Sequence, residues 1–299
     1  MARQVSLSAR ALRPGPLAAL ALLYLVLVSA VMIWRGISVS PDYLLLLLVP
    51  VAVVSRRLLR FAADWVPFVA ILLGWEAMRG IAPRTGIPPL ISELAGADRW
   101  LGGGRLPTAT LQQALAPLGE VVDDAATVVY FCHFLVPIGV GLVLWLVDRR
   151  IFLRFVTALM GLAFACFVVY LLVPTAPPWY AQDHGMACCF RRVIGTTLPS
   201  AVSPYYQSLN PNPVAAFPSL HAAFPMLALL ALRALDRRLV WPALAWCLMV
   251  WVSIVYLGEH YLVDALAGIG SAALAWTVMT RLVAPRVGAL REARVGAGG

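Results

Sequence analysis

The sequence predicts an all-α, polytopic transmembrane helical bundle of about eight spans. Three observations carry this reading. The 299 residues are 62% hydrophobic and only 12% charged, about half the ~25% charged fraction of a soluble domain. Long apolar runs recur along the chain, most of them near the ~20 residues that a bilayer requires. The basic residues sit between these runs rather than within them. Composition therefore excludes a water-soluble globule, a disordered tail and a nucleic-acid module, despite a formal charge of +9.

The first run is Leu17–Trp34. The arginines before it and Val28-Ser29-Ala30 have the form of a cleavable signal, but apolar character continues to Trp34, which favours an uncleaved anchor. Tyr43–Ser55 is short and Phe61–Met78 carries Asp64 and Glu76, so these are the two weakest spans. Ala125–Val147, Phe155–Val173 and Leu239–Leu257 carry no Asp, Glu, Lys or Arg, Val214–Leu232 contains one His, and Tyr261–Thr280 one Asp. Gly80–Asp124 and Pro174–Pro213 are too polar to span and too long for simple turns, the mark of functional or disordered loops. The second, with Pro174–Tyr180, Tyr205-Tyr206 and Asn210–Pro213, has the composition of an ordered lid at headgroup level, where aromatic rings settle.

All 23 basic residues are arginine. Alternating eight spans leaves only Arg35, Arg79, Arg84, Arg99, Arg105, Arg191 and Arg192 at one face and sixteen arginines at the other. The arginine-rich face is then cytoplasmic. Both termini are inside, the two long loops are outside, and residues 1–299 form one integral domain of the cell membrane. Cys132, Cys166 and Cys247 fall in spans as packing residues; Cys188 and Cys189 are adjacent in the outer loop, either paired or free.

Ionisable residues within spans are costly and mark function by default. Here most gather at the outer ends of three helices: Ala216–His221, Gly258–Asp264 and Trp75–Gly80. At four-residue spacing on a helix, His260 and Asp264 share a face, with Asp264 about 6 Å deeper. The carboxylate then fixes the imidazole tautomer and leaves the other nitrogen nucleophilic. Histidine can carry a phosphoryl group covalently, and His221 facing it would serve as general acid and base. Phosphate oxygens require cations: Arg79 is the best placed, with Arg84, Arg191 and Arg192 behind it.

Plainer roles stand beside these. The His260–Asp264 pair can be a structural hydrogen bond, Arg79 can bridge Glu76, and Arg191-Arg192 can be a solvated pair. His133 fits an interhelical hydrogen bond, and Asp64 a contact with a neighbouring helix. A zinc site of His221, His260, Asp264 and Glu259 is disfavoured because the H-E-x-x-H signature is absent and Glu259 points off the shared face. Transport sites sit near the midplane, unlike this cluster. No metal or cofactor is expected.

Pro218-Ser219-Leu220-His221 resembles the second motif of the type 2 phosphatidic acid phosphatase superfamily, normally Pro-Ser-Gly-His. His260-Tyr261-Leu262-Val263-Asp264 resembles its third, at a fitting separation of 39 residues. The usual Ser-Arg before the third-motif His is replaced by Ser253-Ile254, and the usual first-motif Lys has no counterpart in a chain without lysine. These departures are similar to the branch of inositol phosphorylceramide synthase and the sphingomyelin synthases; Glu76–Gly80 is also similar to an Arg-bearing segment of it. The resemblance implies a six-helix phosphatase-like core with catalytic motifs in 214–283. It implies His260 as nucleophile, Asp264 as its orienter, His221 as acid/base, and no metal.

The expected function is a membrane-embedded lipid phosphotransferase, moving an inositol phosphate or similar headgroup through phosphohistidine at the outer leaflet. Membrane lipids are both substrate and acceptor. Hydrolysis of phosphatidate or polyprenyl phosphate, and a non-catalytic lipid-binding role, are the alternatives. The arginine-only composition hints at a GC-rich bacterial source and so argues against ceramide as acceptor.

Overall fold

The computed structural model describes residues 19, 20, 23, 24, 26, 27, 41–79, 81, 84–197 and 213–286. Most of Leu17–Trp34, residues 198–212 with Tyr205-Tyr206, and the tail from 287 lie outside them. The described elements are helical, with no strand. They are α1 Pro41–Val54, α2 Leu58–Arg79, α3 Ser92–Leu101, α4 Pro107–Leu115, α5 Glu120–Val147, α6 Arg149–Leu172, α7 Pro178–Asp183, α8 Ile194–Thr197, α9 Leu220–Leu235, α10 Val240–Tyr256 and α11 Leu262–Val278.

Four of these segments are long and apolar enough to cross a membrane: Leu58–Arg79, Arg149–Leu172, Arg237–Tyr256 and Leu262–Arg286. A fifth is α5 if its halves, Glu120–His133 and Leu135–Val147, bent by 45°, count as one span. Pro137 lies just past the break; a proline ring clashes with the carbonyl four residues earlier, here that of His133.

The centre of the bundle is α9, packed against α5, α6, α10 and α11. Ala222, Ala223, Ala228 and Ala231 are buried along it, small residues that let neighbouring backbones approach. The hydrophobic run predicts a span from Val214, but the helix begins only at Leu220. Residues 214–219 are non-helical instead, with Ala215 bridged to Thr175. The Thr175 N–H donates to the Val214 carbonyl at 2.9 Å, the Ala216 N–H to the Thr175 carbonyl at 3.1 Å, and the Leu90 N–H to the Pro174 carbonyl at 2.9 Å. Both long loops are thereby stitched to the head of α9. At 16 residues, α9 is about 24 Å long, shorter than a bilayer's hydrocarbon thickness of ~30 Å.

The first long loop is largely helical. Its α3 packs on α11 and α7, α4 packs on α10, and α5 starts at Glu120, ahead of the predicted Ala125. At the opposite end Asp64, buried on α2, accepts from Arg149 Nε at 2.7 Å and Trp145 Nε1 at 3.0 Å. This cluster ties α2 to the α5–α6 hairpin, beside the aromatic packing of Phe61, Trp65 and Phe152.

Candidate active site

The connection between α10 and α11 places the third motif. Gly258, at φ +76, follows the C-cap Leu257. The Gly258 N–H donates to the Val255 carbonyl at 3.2 Å and the Glu259 N–H to the Ile254 carbonyl at 3.1 Å. This pair of bonds is a Schellman ending, which favours glycine at the left-handed position. The chain turns sharply, and His260 falls just before the N-cap residue Tyr261.

The helical-face geometry expected for His260 and Asp264 is therefore corrected. His260 precedes α11, and Tyr261 is extended at ψ 156. Asp264, in the first turn, folds back: its Oδ2 accepts from the Tyr261 N–H at 2.9 Å and lies 3.5 Å from His260 Nδ1. The two side chains meet across the helix start. Both residues are buried.

The second motif approaches from α9. Ser219 caps that helix, its Oγ accepting from the Ala222 N–H at 3.3 Å. Three further bonds hold the motif: Tyr170 OH donates to the Pro218 carbonyl at 2.7 Å, the Ser219 N–H to the Asp264 carbonyl at 3.0 Å, and the Phe217 N–H to Thr175 Oγ1 at 2.8 Å. Gly268 permits this closeness, since a Cβ there would collide with the Ser219 carbonyl. His221 Nδ1 and His260 Nε2 are 3.0 Å apart. Asp264, His260 and His221 thus form one line.

Sequence reading treated two flanking side chains as structural or passed over them. The Tyr130 ring stacks on His221 with centroids 4.9 Å apart and planes at 17°. The His133 ring centroid is 4.1 Å from that of His221, and its Nδ1 bonds the Tyr130 carbonyl of its own helix. His133 is one residue from the bend in α5, a clue present in Pro137.

The four arginines separate. Arg79, the last residue of α2, lies within electrostatic range of His133, His221 and Tyr170. Its guanidinium bonds Glu76 at 2.9 Å and lies 5.4 Å over the Trp75 ring, so the Glu76 bridge and proximity to the site coexist. Arg84 is exposed between α2 and α3. Arg191 pairs with Asp123 at 2.8 Å, within a network in which Tyr256 OH donates to Asp123 Oδ1 at 2.6 Å and Gln112 bonds the Arg191 and Tyr256 carbonyls. Arg192 lies 4.0 Å over the Trp179 ring, 3.9 Å from Asp183. Among the described residues, no three His, Cys, Asp or Glu side chains are arranged to hold a metal.

The fold is a helical membrane bundle in which a carboxylate and two histidines from separate motifs come together, and its kinship places it among enzymes acting on lipid phosphate esters. The chain belongs to the PAP2 superfamily, whose profile matches residues 92–278. It is 29% identical over 276 residues to the phosphoinositol dihydroceramide synthase of Bacteroides thetaiotaomicron, covering 85% of this chain and 87% of that protein. It is also 29% identical over 129 residues to the inositol phosphorylceramide synthase catalytic subunit aur1 of Schizosaccharomyces pombe, covering 40% of this chain and 31% of that protein. No solved structure matches.

Proposed function

We propose that this protein transfers an inositol phosphate, or a closely similar phospho-headgroup, from a glycerophospholipid to the hydroxyl of a dihydroceramide-type lipid. The observation that carries this reading is the 3.0 Å approach of His221 Nδ1 to His260 Nε2. It occurs in a chain similar, over most of its length, to a phosphoinositol dihydroceramide synthase. That relative is bacterial, and its likeness outweighs the compositional argument against a ceramide-type acceptor.

Asp264 Oδ2, 3.5 Å from His260 Nδ1, favours the proton on that nitrogen through its charge rather than through a formed hydrogen bond, so Nε2 presents a lone pair. A donor phosphate entering between the histidines exchanges their mutual hydrogen bond for bonds to substrate. Nε2 attacks phosphorus, the N–P bond forms, and the bond to the diacylglycerol oxygen breaks as His221 donates a proton to that oxygen. His221 then takes the proton of the acceptor hydroxyl, whose oxygen attacks phosphorus and breaks the N–P bond. Arg79 neutralises the non-bridging oxygens; one of its five N–H donors is held by Glu76, which fixes its direction. The sixteen-to-seven arginine asymmetry supports chemistry at the outer leaflet.

The test uses purified protein in vesicles containing headgroup-labelled phosphatidylinositol and dihydroceramide, wild type beside His260→Ala. Label moving into a new lipid, in wild type only, is the expected result. Release of water-soluble inositol phosphate without new lipid makes the protein a hydrolase. Equal transfer by His260→Ala overturns the mechanism.

A further inference from the structure

The first turn of any helix leaves N–H groups without intrahelical partners, usually met by a short polar side chain at the N-cap. In α11 that position is Tyr261, whose side chain makes no cap hydrogen bond. Asp264 satisfies the Tyr261 N–H from inside the helix. The Val263 N–H is met from elsewhere: Asp98 Oδ1, on α3 of the first long loop, accepts it at 3.0 Å across 165 residues of sequence.

Several features show that Asp98 is built for this contact. It is fully buried, and a buried carboxylate is retained only where it is needed. Its second oxygen, Oδ2, makes no hydrogen bond, so the bond to α11 accounts for its placement. The groups around it are Asp264 and Tyr261 on α11 and Arg99 on its own helix. Burial, with Asp264 nearby, pushes its carboxyl up to about 6. Around it Leu94, Ala95, Leu106, Ala181 and Phe190 pack with Tyr261.

We infer that Asp98 is a positioning residue: it caps α11 from the loop layer and so sets Asp264 against His260. This rests on the assignment of His260 as nucleophile. When the cap is lost the first turn of α11 loosens, Asp264 Oδ2 no longer holds its place by His260 Nδ1, and the nucleophile loses its orientation. Substrate is not touched, so turnover changes rather than affinity.

The test compares wild type, Asp98→Ala and Asp98→Asn in the headgroup-transfer assay, with hydrogen exchange followed over 257–266. Asparagine keeps the acceptor oxygen and alanine does not. For Asp98→Ala, kcat falls about tenfold and the Val263 amide exchanges about tenfold faster, the equivalent of one lost cap. KM stays within about threefold, and Asp98→Asn stays near wild type in every readout. If alanine does not fold, Asp98→Ser, whose hydroxyl is too short to reach Val263, takes its place. Unchanged kcat in the capless variant, an equal loss in Asp98→Asn, or a rise in KM at constant kcat overturns the inference. Wild type without transfer activity counts against the proposed function instead; the exchange readout still decides the capping, and unchanged exchange in Asp98→Ala refutes it.

Discussion

In the proposed mechanism the neighbours of His260 divide the tasks: Asp264 stands behind it at 3.5 Å and His221 before it at 3.0 Å. His221→Ala removes the acid/base and is expected to lower kcat by about 10²–10⁴. Asp264→Asn keeps shape while losing the charge that selects the tautomer, and a loss of similar order is expected. Steady-state kinetics with labelled donor measures both. Arg79→Lys is not expected to restore what Arg79→Ala loses, because the Glu76-directed fork cannot be formed by an ammonium. Asp98 makes a pH prediction. Its folded-state value, about 6, lies above the ordinary 3.8, so between these values the folded chain binds more protons than the unfolded one. Asp98 therefore favours the folded state increasingly as pH falls from above 6 towards 4. In Asp98→Asn this part of the pH dependence is absent from thermal unfolding in detergent.

Two contacts between elements decide whether those residues meet. Gly268 lets α11 press on the backbone of Ser219; Gly268→Ala is expected to part the two motifs and abolish most turnover, with the described helices still formed by circular dichroism. At the other end, Arg149→Ala leaves Asp64 buried with only the Trp145 indole as partner. Removing one member of a buried pair costs ~3–5 kcal/mol. Arg149 itself is 46% exposed, so a cost of about 2 kcal/mol is expected in unfolding experiments, with turnover retained in the folded fraction. The helices were legible as hydrophobic runs because lipid imposes length and apolarity. Their ends were not. Val214–Ser219 reads as apolar helix yet is non-helical, because Thr175 supplies backbone partners to Val214 and Ala216 and is itself bridged to Leu90 of the other long loop. His260 and Asp264 read as helical neighbours because the Schellman turn at Gly258 and the cap at Tyr261 leave no trace in hydrophobic spacing. The two motifs were readable as residues that would come together; the contact of Asp98 with α11 was not, since it joins residues 165 apart.

At the scale of the whole molecule, the head of α9 and the α10–α11 connection, which carry the two motifs, meet where the long loops pack. In the proposed orientation, which follows the arginine distribution, that side faces outward. Cys188 and Cys189 are exposed there, while Cys166 and Cys247 are buried. A membrane-impermeant maleimide added to intact cells is expected to label Cys188 or Cys189 once reduced. Labelling that requires an opened cytoplasm contradicts the orientation and moves the chemistry to the inner leaflet. The central claim is covalent: the headgroup passes through His260. The most direct measurement quenches wild type in alkali during turnover of headgroup-labelled phosphatidylinositol and maps the label by peptide mass spectrometry. The account predicts an inositol phosphate on His260, absent in His260→Ala and accumulating when the acceptor lipid is left out. Label transferred to the acceptor with none trapped on His260, or trapped on another residue, contradicts it.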